Sequence, residues 1–520
     1  MKRKRALLSF WLVASSSLVT ANTAHAQQPG VLQHPPATQQ PNIIFIYTDD
    51  LGYGDISCYG DAKVHTPNID RLAAEGLRFT NAHSSAATCT PSRFSVITGE
   101  YAWRQKGTGI ARGNAGLIIR PGHATLGTIL QGAGYKTGIV GKWHLGLGGP
   151  DGPDWNGVIK PGPLELGFDY SYIIPATLDR VPTVFVDNHK VAGLDSRDPI
   201  LVSYDEPIGD EPTGKDHPEL LKYPASNGHN QTIINGIGRI GYMAGGKSAR
   251  WVDEEVAQVL SRKAVNFIED NKDHPFFLYY ATTDIHVPHM PNLQFLNESG
   301  LGLRGDAILQ LDWCVGQVLH ILDSLGLTDK TIIIFSSDNG PVVDDGYADG
   351  SVEHLNGHRP AGPLRGGKYS KFEGGTRMPF IVRWPGHVKP GTSDALVCQV
   401  DFPASFAALT HQQLAADDAP DSYDEMDALL GKSGHGREYL VEEGNGLAIV
   451  KGKWKYIPPS NGPKTDRTVN IELGNDTDPQ LYDLSKDLGE ANNVAKDHPD
   501  LVKELDGLLQ KVKTEDKSRP

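Results

Sequence analysis

The segment NIIFIYT, residues 42–48, is a nearly continuous apolar run that ends in Asp49 and Asp50. A second run, TIIIF at 331–335, is followed by the polar sequence SSDNG. Apolar runs of this length, without regular polar alternation, are typical of strands that are covered on both faces. The same pattern predicts further buried strands at 137–140, 276–280 and 379–382.

Helical stretches lie between these strands, at 68–75, 254–269 and 307–325. In the last stretch, apolar residues recur at steps of three or four, at Ala307, Leu311, Val315, Val318 and Leu322. The alternation of buried strands with helices predicts an α/β fold, in which helices cover both faces of the sheet. The Gly-, Pro- and charge-rich stretch 340–375 is predicted to be a long loop, of the kind that often carries function.

The pattern changes near residue 430 to short runs that alternate as strands do. These runs lie at 438–442, 447–450 and 454–457, and a polar loop at 459–479 precedes a final helix at 500–512. We therefore divide the chain into a larger domain at 42–425 and a smaller α+β domain at 426–520.

The N-terminus has the three parts of an export signal. Basic residues at 2–5 precede an apolar stretch at 6–14, and Ala24-His25-Ala26 forms a cleavage site before Gln27. We expect a signal peptide at 1–26, a disordered Pro/Gln-rich spacer at 27–41, and a periplasmic or secreted mature protein without a membrane span.

Composition narrows the class of protein. The 520 residues include 49 Lys+Arg and 63 Asp+Glu, a net charge of −14, and 39% of the residues are hydrophobic. These values are typical of a globular protein rather than a disordered or fibrous one. The acidic balance argues against nucleic acid as the partner. Cys58, Cys89, Cys314 and Cys398 are too few for a disulfide scaffold.

Four oxygen-bearing side chains follow the two apolar runs: Asp49, Asp50, Asp338 and Asn339. Ligands in open α/β sheets bind beyond the carboxyl ends of the strands, so these side chains can converge. Clustered carboxylates repel one another unless a cation lies among them. An all-oxygen set in flexible loops suits Ca²⁺ better than Mg²⁺. The alternative is that each residue serves an ordinary turn or caps a helix.

Cys89 lies in the sequence Cys-Thr-Pro-Ser-Arg, residues 89–93. A lone cysteine is usually a small buried apolar residue. Polar neighbours and the nearby Arg93 make this one a candidate nucleophile or modification site. For Cys58, Cys314 and Cys398, core packing is the expectation.

The run CTPSRFSVITG at 89–99 resembles the signature of type I sulfatases, in which C-x-P-S-R directs oxidation of the cysteine to formylglycine. Other segments are similar to the same arylsulfatase-like family of the alkaline phosphatase superfamily: 41–55, 134–146, 335–341, 366–386 and 481–495. The resemblance implies a mixed, mostly parallel sheet between helices, with a smaller C-terminal domain.

The resemblance also assigns a role to each matching residue. Cys89 would be the formylglycine hydrate, and it would complete a Ca²⁺ site formed by Asp49, Asp50, Asp338 and Asn339. Arg93, Lys142 and His144 would surround it, while His286 and Lys368 would face the sulfate and the leaving oxygen. Thr177 is a weaker match to a serine of some relatives. Five further residues lie close to these motifs and stay outside the catalytic set, either as contacts to the substrate beyond the sulfate or as solvated loop residues: His289, His354, His358, Arg359 and Arg365.

The implied reaction is hydrolysis of a sulfate ester. One hydroxyl of the hydrate would attack sulfur, the alcohol would leave with a proton from His286, and His144 would then act as the base. Sulfated polysaccharides or their oligosaccharides are the expected substrates, with specificity in loops near 100–120, 175–245 and 340–360. A separate maturation enzyme is required as a partner.

Two alternatives remain at this point, one from the same superfamily and one from another class of protein. One is a formylglycine-dependent phosphodiesterase or phosphonate monoester hydrolase of the same superfamily. The other is a non-catalytic glycan-binding relative, which would be expected to lack the cysteine or a metal ligand. All of these residues are present in the sequence.

Overall fold

The computed structural model describes residues 40–60 and 63–519. The predicted signal peptide, and residues 27–39 of the predicted spacer, lie outside the described residues. Among the described residues, the structure shows no helix that is both long and apolar enough for a bilayer.

A ten-stranded sheet forms the centre of the protein. Its strands in chain order are β1 Asn42–Thr48, β2 Leu77–Phe79, β3 Lys136–Lys142, β4 Tyr170–Ile174, β5 Val186–Asp187, β6 Lys190–Val191, β7 Phe276–Ala281, β8 Thr331–Ser337, β9 Phe380–Arg383 and β10 Gly391–Ser393. Their order across the sheet is β10-β2-β9-β8-β1-β7-β3-β4-β5-β6. All five predicted buried strands are present.

The middle of the sheet is parallel and its flanks are mostly antiparallel. Strands β8, β1, β7, β3 and β4 pair in parallel, whereas β9 and β5 run antiparallel to their neighbours. In the central pair, Asn42 lies beside Thr331 and Thr48 beside Ser337, so β1 and β8 end at the same level. The mixed, mostly parallel sheet that the resemblance implies is therefore confirmed.

Side chains of β1 alternate between two apolar layers. Ile43, Phe45 and Tyr47 pack with helices on one face, and Ile44 and Ile46 pack with helices on the other. Because both faces are covered, polar alternation is absent from β1. The helices are α1 Pro67–Glu75, α2 Cys89–Thr98, α3 Leu126–Gly132, α4 Val256–Asn271, α5 Gly302–Ser324, α6 Glu373–Thr376, α7 Phe402–Leu409, α8 Met426–Leu429 and α9 Pro499–Thr514.

A smaller antiparallel sheet follows α8. It consists of β11 Tyr439–Gly444, β12 Gly446–Lys451, β13 Trp454–Ile457 and β14 Gln480–Asp483, and α9 packs on it through Leu505 and Leu509. The predicted polar loop at 459–479 contains a short hairpin, in which Thr465–Asp466 pairs with Ile471–Glu472. The strands and the final helix are confirmed, and the domain boundary at 425/426 stays a prediction.

Three further two-stranded pairs complete the described strands. They are Ala82–His83 with Val397–Cys398, Leu201–Ser203 with Tyr242–Ala244, and Ile233–Ile234 with Ile237–Gly238.

Buried ion pairs join the small sheet to the segment that carries Lys368. Lys455 on β13 lies 2.7 Å from Glu373 of α6 and 2.9 Å from Glu442 of β11, measured from Nζ to the carboxylate oxygens. All three side chains are at most 1% exposed. His83 also contacts Glu442, with 2.7 Å between Nδ1 and Oε1. Since a buried charge is costly without a partner, these contacts hold the small sheet against α6 and the segment of His83.

Replacing Lys455 by methionine tests this junction. The Lys455→Met variant leaves Glu373 and Glu442 without their shared cation, so we expect the free energy of unfolding to fall by about 3–5 kcal/mol. Urea denaturation followed by circular dichroism measures the loss. The control is Lys453→Met, because Lys453 pairs with Asp483 at the surface. Equal midpoints for the two variants would contradict the role of the junction.

Candidate active site

The ends of β1 and β8 bring four polar side chains together. Asp49 and Asp50 follow β1, Asp338 and Asn339 follow β8, and each residue is at most 1% exposed. Asn339 donates from Nδ2 to Oδ1 of Asp50 at 2.7 Å, and the backbone N–H of Asp50 donates to Asp338 at 3.3 Å. The convergence follows from the register of two parallel strands that end at the same level.

Two buried cations neutralise part of this cluster. Lys142, the last residue of β3, places Nζ 2.7 Å from both carboxylate oxygens of Asp49. Arg93 on α2 donates from Nε to Asp338 at 2.9 Å, and its Nη2 lies 2.8 Å from the same oxygen. Both cations were predicted to surround Cys89, and the structure places them against the carboxylates.

Cys89 is the first residue of α2 and is 2% exposed. Burial raises the pKa of its thiol above the ordinary value, although the charges of Lys142 and Lys368 act in the opposite direction. The thiolate is therefore scarce at neutral pH, which makes the unmodified residue a poor nucleophile.

Lys368 pairs with a different carboxylate of the cluster from the one that Lys142 contacts. Its Nζ donates to Asp50 at 2.8 Å and to Asp345 at 2.8 Å. Burial opposes the ammonium charge, but Asp345 and Asp50 together raise the pKa of Lys368 well above its usual value. Lys368 therefore stays positively charged in the pocket.

The two histidines predicted for the site are buried, and their hydrogen bonds to carbonyl groups fix their tautomers. His144 contacts the carbonyl of Ala111 through Nε2 at 2.9 Å, and its Nδ1 is buried without a partner. His286 contacts the carbonyl of Val287 through Nδ1 at 2.7 Å, and its Nε2 lies 3.8 Å from Asp50. Since a carbonyl only accepts, the contacting nitrogens carry the protons. Burial lowers the pKa of both rings, and Lys142 adds to this at each of them. Lys368 lowers the pKa of His286 further and Arg180 that of His144, so both rings are neutral.

The donor set fits a hard divalent cation. Oδ1 of Asn339 is buried and has no hydrogen-bond partner, although it lies beside three carboxylates. Burial raises the pKa of Asp49 to about 8. The charge of Lys142 opposes this rise, whereas the neighbouring Asp338 and Asp50 add to it. When all four carboxylates are ionised, as a bound divalent cation favours, Asp49, Asp50, Asp338 and Asp345 exceed the cations Arg93, Lys142 and Lys368 by one negative charge. Oxygen ligands with excess negative charge are the environment that Ca²⁺ prefers.

In the described residues, Asp49, Asp50 and His286 form one group of potential metal ligands, and His83, Glu373 and Glu442 form a second group elsewhere. There the ammonium group of Lys455 contacts both glutamates, so an ion pair already satisfies them.

A cavity of about 220 Å³ opens onto Cys89, His286 and Lys368. Each of the three loops predicted to carry specificity contributes residues to it. The lining residues that sequence reasoning did not assign are Ile110, Asp179, Arg180, Asn227, His229, Ile240, Asp345, Tyr369, Asp466, Thr468 and Val469. The last three belong to the C-terminal polar loop, and no pattern in the sequence indicates that this loop reaches the pocket.

Other residues that the sequence singled out lie beside the cavity or away from it. Thr177 accepts a hydrogen bond from Arg180 at 2.6 Å and contacts Asp179. In the described part of the chain, the side chains of the five residues without an assigned role do not line the cavity. His289 pairs with Asp349, His354 contacts the carbonyl of Gly350, His358 pairs with Asp55, Arg365 pairs with Glu472, and Arg359 is exposed. Cys314 and Cys398 are buried as expected, and Cys58 is half-buried.

Comparison with known proteins identifies the family. The sulfatase family model matches residues 41–412. The chain belongs to the sulfatase family. A curated N-acetylgalactosamine-6-O-sulfatase of Bacteroides thetaiotaomicron is 58% identical over 479 residues, which cover 92% of this sulfatase and 94% of that protein. Human arylsulfatase A is 31% identical, over 87% of this chain and 83% of its own. The named relatives are sulfuric ester hydrolases, which confirms the predicted class of enzyme.

Solved structures place the fold in the same family. One sulfatase structure, from work on the metabolism of multiple glycosaminoglycans by Bacteroides thetaiotaomicron, has a TM-score of 0.91 and 58% identity, and it covers 92% of this chain and 100% of that chain. A phosphonate monoester hydrolase of Agrobacterium radiobacter has a TM-score of 0.55 at 17% identity. The match covers 92% of this chain and 96% of that chain. At that identity the likeness shows the shared fold alone.

The burial of Cys89 predicts that its thiol is protected in the folded sulfatase. In protein made without a maturation enzyme, iodoacetamide at pH 8 should label Cys89 only slowly, because the side chain is 2% exposed and burial raises the pKa of its thiol. After unfolding in urea, the same thiol should react. Mass spectrometry of the tryptic peptide 79–93 compares the two states. Rapid labelling of the native protein would contradict the buried geometry.

Proposed function

We propose that this sulfatase hydrolyses the 6-sulfate ester of N-acetylgalactosamine residues from glycosaminoglycan-type carbohydrates. The observation that carries the proposal is the 58% identity, over 92% of the chain, to the N-acetylgalactosamine-6-O-sulfatase. The geometry supports it, because a small, charged cavity at Cys89 suits one sulfated sugar better than a long polymer segment.

Cys89 is proposed to be the precursor of formylglycine. The buried thiol is not activated as a thiolate, so the unmodified cysteine does not supply the nucleophile. The hydrate of formylglycine would supply a hydroxyl group at the same position. Because residue 89 is enclosed in the folded protein, the maturation enzyme would have to act on the chain before it folds.

Asp49, Asp50, Asp338 and Asn339 are proposed to hold one Ca²⁺, with residue 89 completing the site. When bound, the ion would withdraw negative charge from the sulfate oxygens and from the nucleophile. Arg93 and Lys142 hold Asp338 and Asp49 in place through their buried ion pairs, and the charge of Lys142 opposes the rise in the pKa of Asp49.

Lys368 and His286 are proposed to act on the leaving side of the ester. Lys368 is already charged and can donate a hydrogen bond to the leaving oxygen. His286 carries its proton on Nδ1, so Nε2 must gain a second proton before it can act as an acid. The negative charge of a bound sulfate favours that protonation.

His144 is proposed to act as the base that completes the reaction. Its Nε2 contacts the carbonyl of Ala111, which leaves the lone pair of Nδ1 available and without a partner. Burial and then the surrounding positive charges lower its pKa, so the ring stays neutral and the lone pair of Nδ1 stays free to accept a proton.

Export is proposed from the sequence of residues 1–26, which places the mature enzyme in the periplasm or outside the cell. Sulfated carbohydrates are encountered in these compartments, and they are the proposed partners.

Sulfate release tests the proposed function. Protein co-expressed with a maturation enzyme should release sulfate from N-acetylgalactosamine 6-sulfate and much less from the 4-sulfate or from N-acetylglucosamine 6-sulfate. The Cys89→Ala variant should be inactive, whereas Cys58→Ala, a matched change outside the cavity, should retain activity. Ion chromatography quantifies the sulfate, and mass spectrometry of peptide 79–93 confirms the aldehyde. No release from aldehyde-bearing protein, or hydrolysis of a phosphonate monoester in its place, would contradict the proposal.

Removal of a metal ligand tests the Ca²⁺ site without measuring activity. After chelation, wild-type protein should gain about 2.7 kcal/mol of stability when Ca²⁺ is added at 100 times its Kd. Asn339→Ala removes the buried oxygen that has no partner, so this gain should largely disappear. Thermal unfolding with Ca²⁺ or Mg²⁺ measures it, and the exposed Asn492→Ala serves as the control. Equal stabilisation of both variants would place the ion elsewhere.

A further inference from the structure

A hairpin in the C-terminal region forms one wall of the reaction cavity. Thr465–Asp466 pairs with Ile471–Glu472, and Asp466, Thr468 and Val469 line the same cavity as Cys89. This segment lies beyond residues 41–412, the range that matches the family model. The wall is thus contributed by a part of the chain that the family match does not describe.

Hydrogen bonds attach the hairpin to the segment that carries Lys368. Ser370 donates from Oγ to the carbonyl of Glu472 at 2.6 Å. Arg365 pairs with the Glu472 carboxylate, with 2.7 Å between Nε and Oε2. The backbone N–H of Lys371 donates to the carbonyl of Leu473 at 3.2 Å. Since these contacts bracket Lys368, the hairpin has a defined position relative to the reacting groups.

The carboxylates of the cavity wall differ in their partners. The Asp179 carboxylate places Oδ1 2.9 Å from Nη1 of Arg180 and Oδ2 2.9 Å from Nε2 of His229. Oδ2 of Asp345 lies 2.8 Å from Nζ of Lys368. Asp466 instead accepts hydrogen bonds from the backbone N–H of Thr468 at 2.9 Å and from its hydroxyl at 2.6 Å, both at Oδ1. Among residues 40–60 and 63–519, no cation lies within ion-pair distance of Asp466.

We propose that Asp466 is a specificity-determining residue, which accepts hydrogen bonds from sugar hydroxyl groups and disfavours a second anionic group beside the sulfate ester. This inference rests on the proposed function, since it describes the same cavity. Oδ2 of Asp466 is the oxygen that the turn does not use. A second sulfate or a carboxylate at that wall would meet a negative charge that has no cation within ion-pair distance in the described residues, and the repulsion disfavours such a group.

The test compares two sugars that differ by one anionic group. Initial rates with N-acetylgalactosamine 6-sulfate and with its 4,6-disulfate give a ratio of kcat/KM for wild type and for Asp466→Asn. We expect the wild-type preference for the monosulfated sugar to fall by at least about tenfold in Asp466→Asn, because the repulsion is removed. The monosulfated sugar should also be turned over less efficiently, since the amide is a weaker acceptor.

The matched control is Asp478→Asn, which makes the same change of charge on the same polar loop at an exposed position outside the cavity. Its ratio should equal that of wild type. Equal ratios for Asp466→Asn and Asp478→Asn would overturn the inference, because they would show that Asp466 does not sense the second anion.

A second pair of substrates separates this inference from the proposed function. We would assay 4-nitrophenyl sulfate and a carboxylated nitrophenyl sulfate in parallel. If neither sugar is hydrolysed but Asp466→Asn improves relative turnover of the carboxylated ester, the sugar assignment fails and the role of Asp466 stands. If the sugars release sulfate but the ratio of kcat/KM is the same in wild type and in Asp466→Asn, only the role of Asp466 is overturned. Absence of turnover with all four esters overturns both.

Discussion

The carboxylates of Asp49, Asp50 and Asp338 lie together and are each at most 1% exposed, and their mutual repulsion constrains the rest of the site. Parallel pairing of β1 with β8 forces both strand ends to the same edge of the sheet. Arg93 and Lys142 reduce the repulsion between these carboxylates, because each pairs with one of them inside the protein. The remaining excess of negative charge suits a divalent cation, and the ion would leave one positive charge for one sulfate monoester.

The ion pair of Arg93 also explains where the reactive residue lies. Cys89 begins α2 and Arg93 follows four residues later, so both side chains lie on one face of the helix. Anchoring Arg93 to Asp338 therefore presents residue 89 to the cavity. Pro91 is compatible with this geometry because proline is tolerated in the first turn of a helix. Cys89 and Arg93 are thus about one helical turn apart, and the ion pair of Arg93 with Asp338 fixes one end of that turn.

The buried strands are predictable because coverage on both faces leaves a simple pattern, and the run at 42–48 coincides with β1. Helix α5 begins at Gly302 rather than at the predicted 307, because its first turn buries Arg304 in an ion pair with Asp55 instead of apolar side chains. The strand-end carboxylates are predictable from strand order alone. Asp345 and Asp466 are not, since their positions depend on how irregular loops pack, and strands of two residues leave no periodicity to detect.

The reaction and its specificity depend on different parts of the fold. Sheet register fixes the carboxylates at the ends of β1 and β8, and a change in a distant loop does not alter that register. The hairpin at 465–472 is attached to the Lys368 segment by hydrogen bonds and one ion pair, and it contributes side chains to the cavity wall. Substitutions there would change which groups fit beside the ester while leaving the strand-end carboxylates in place. A single fold can thus support sulfatases of different substrate specificity, because residues of the cavity wall can vary without a change in the strand-end carboxylates.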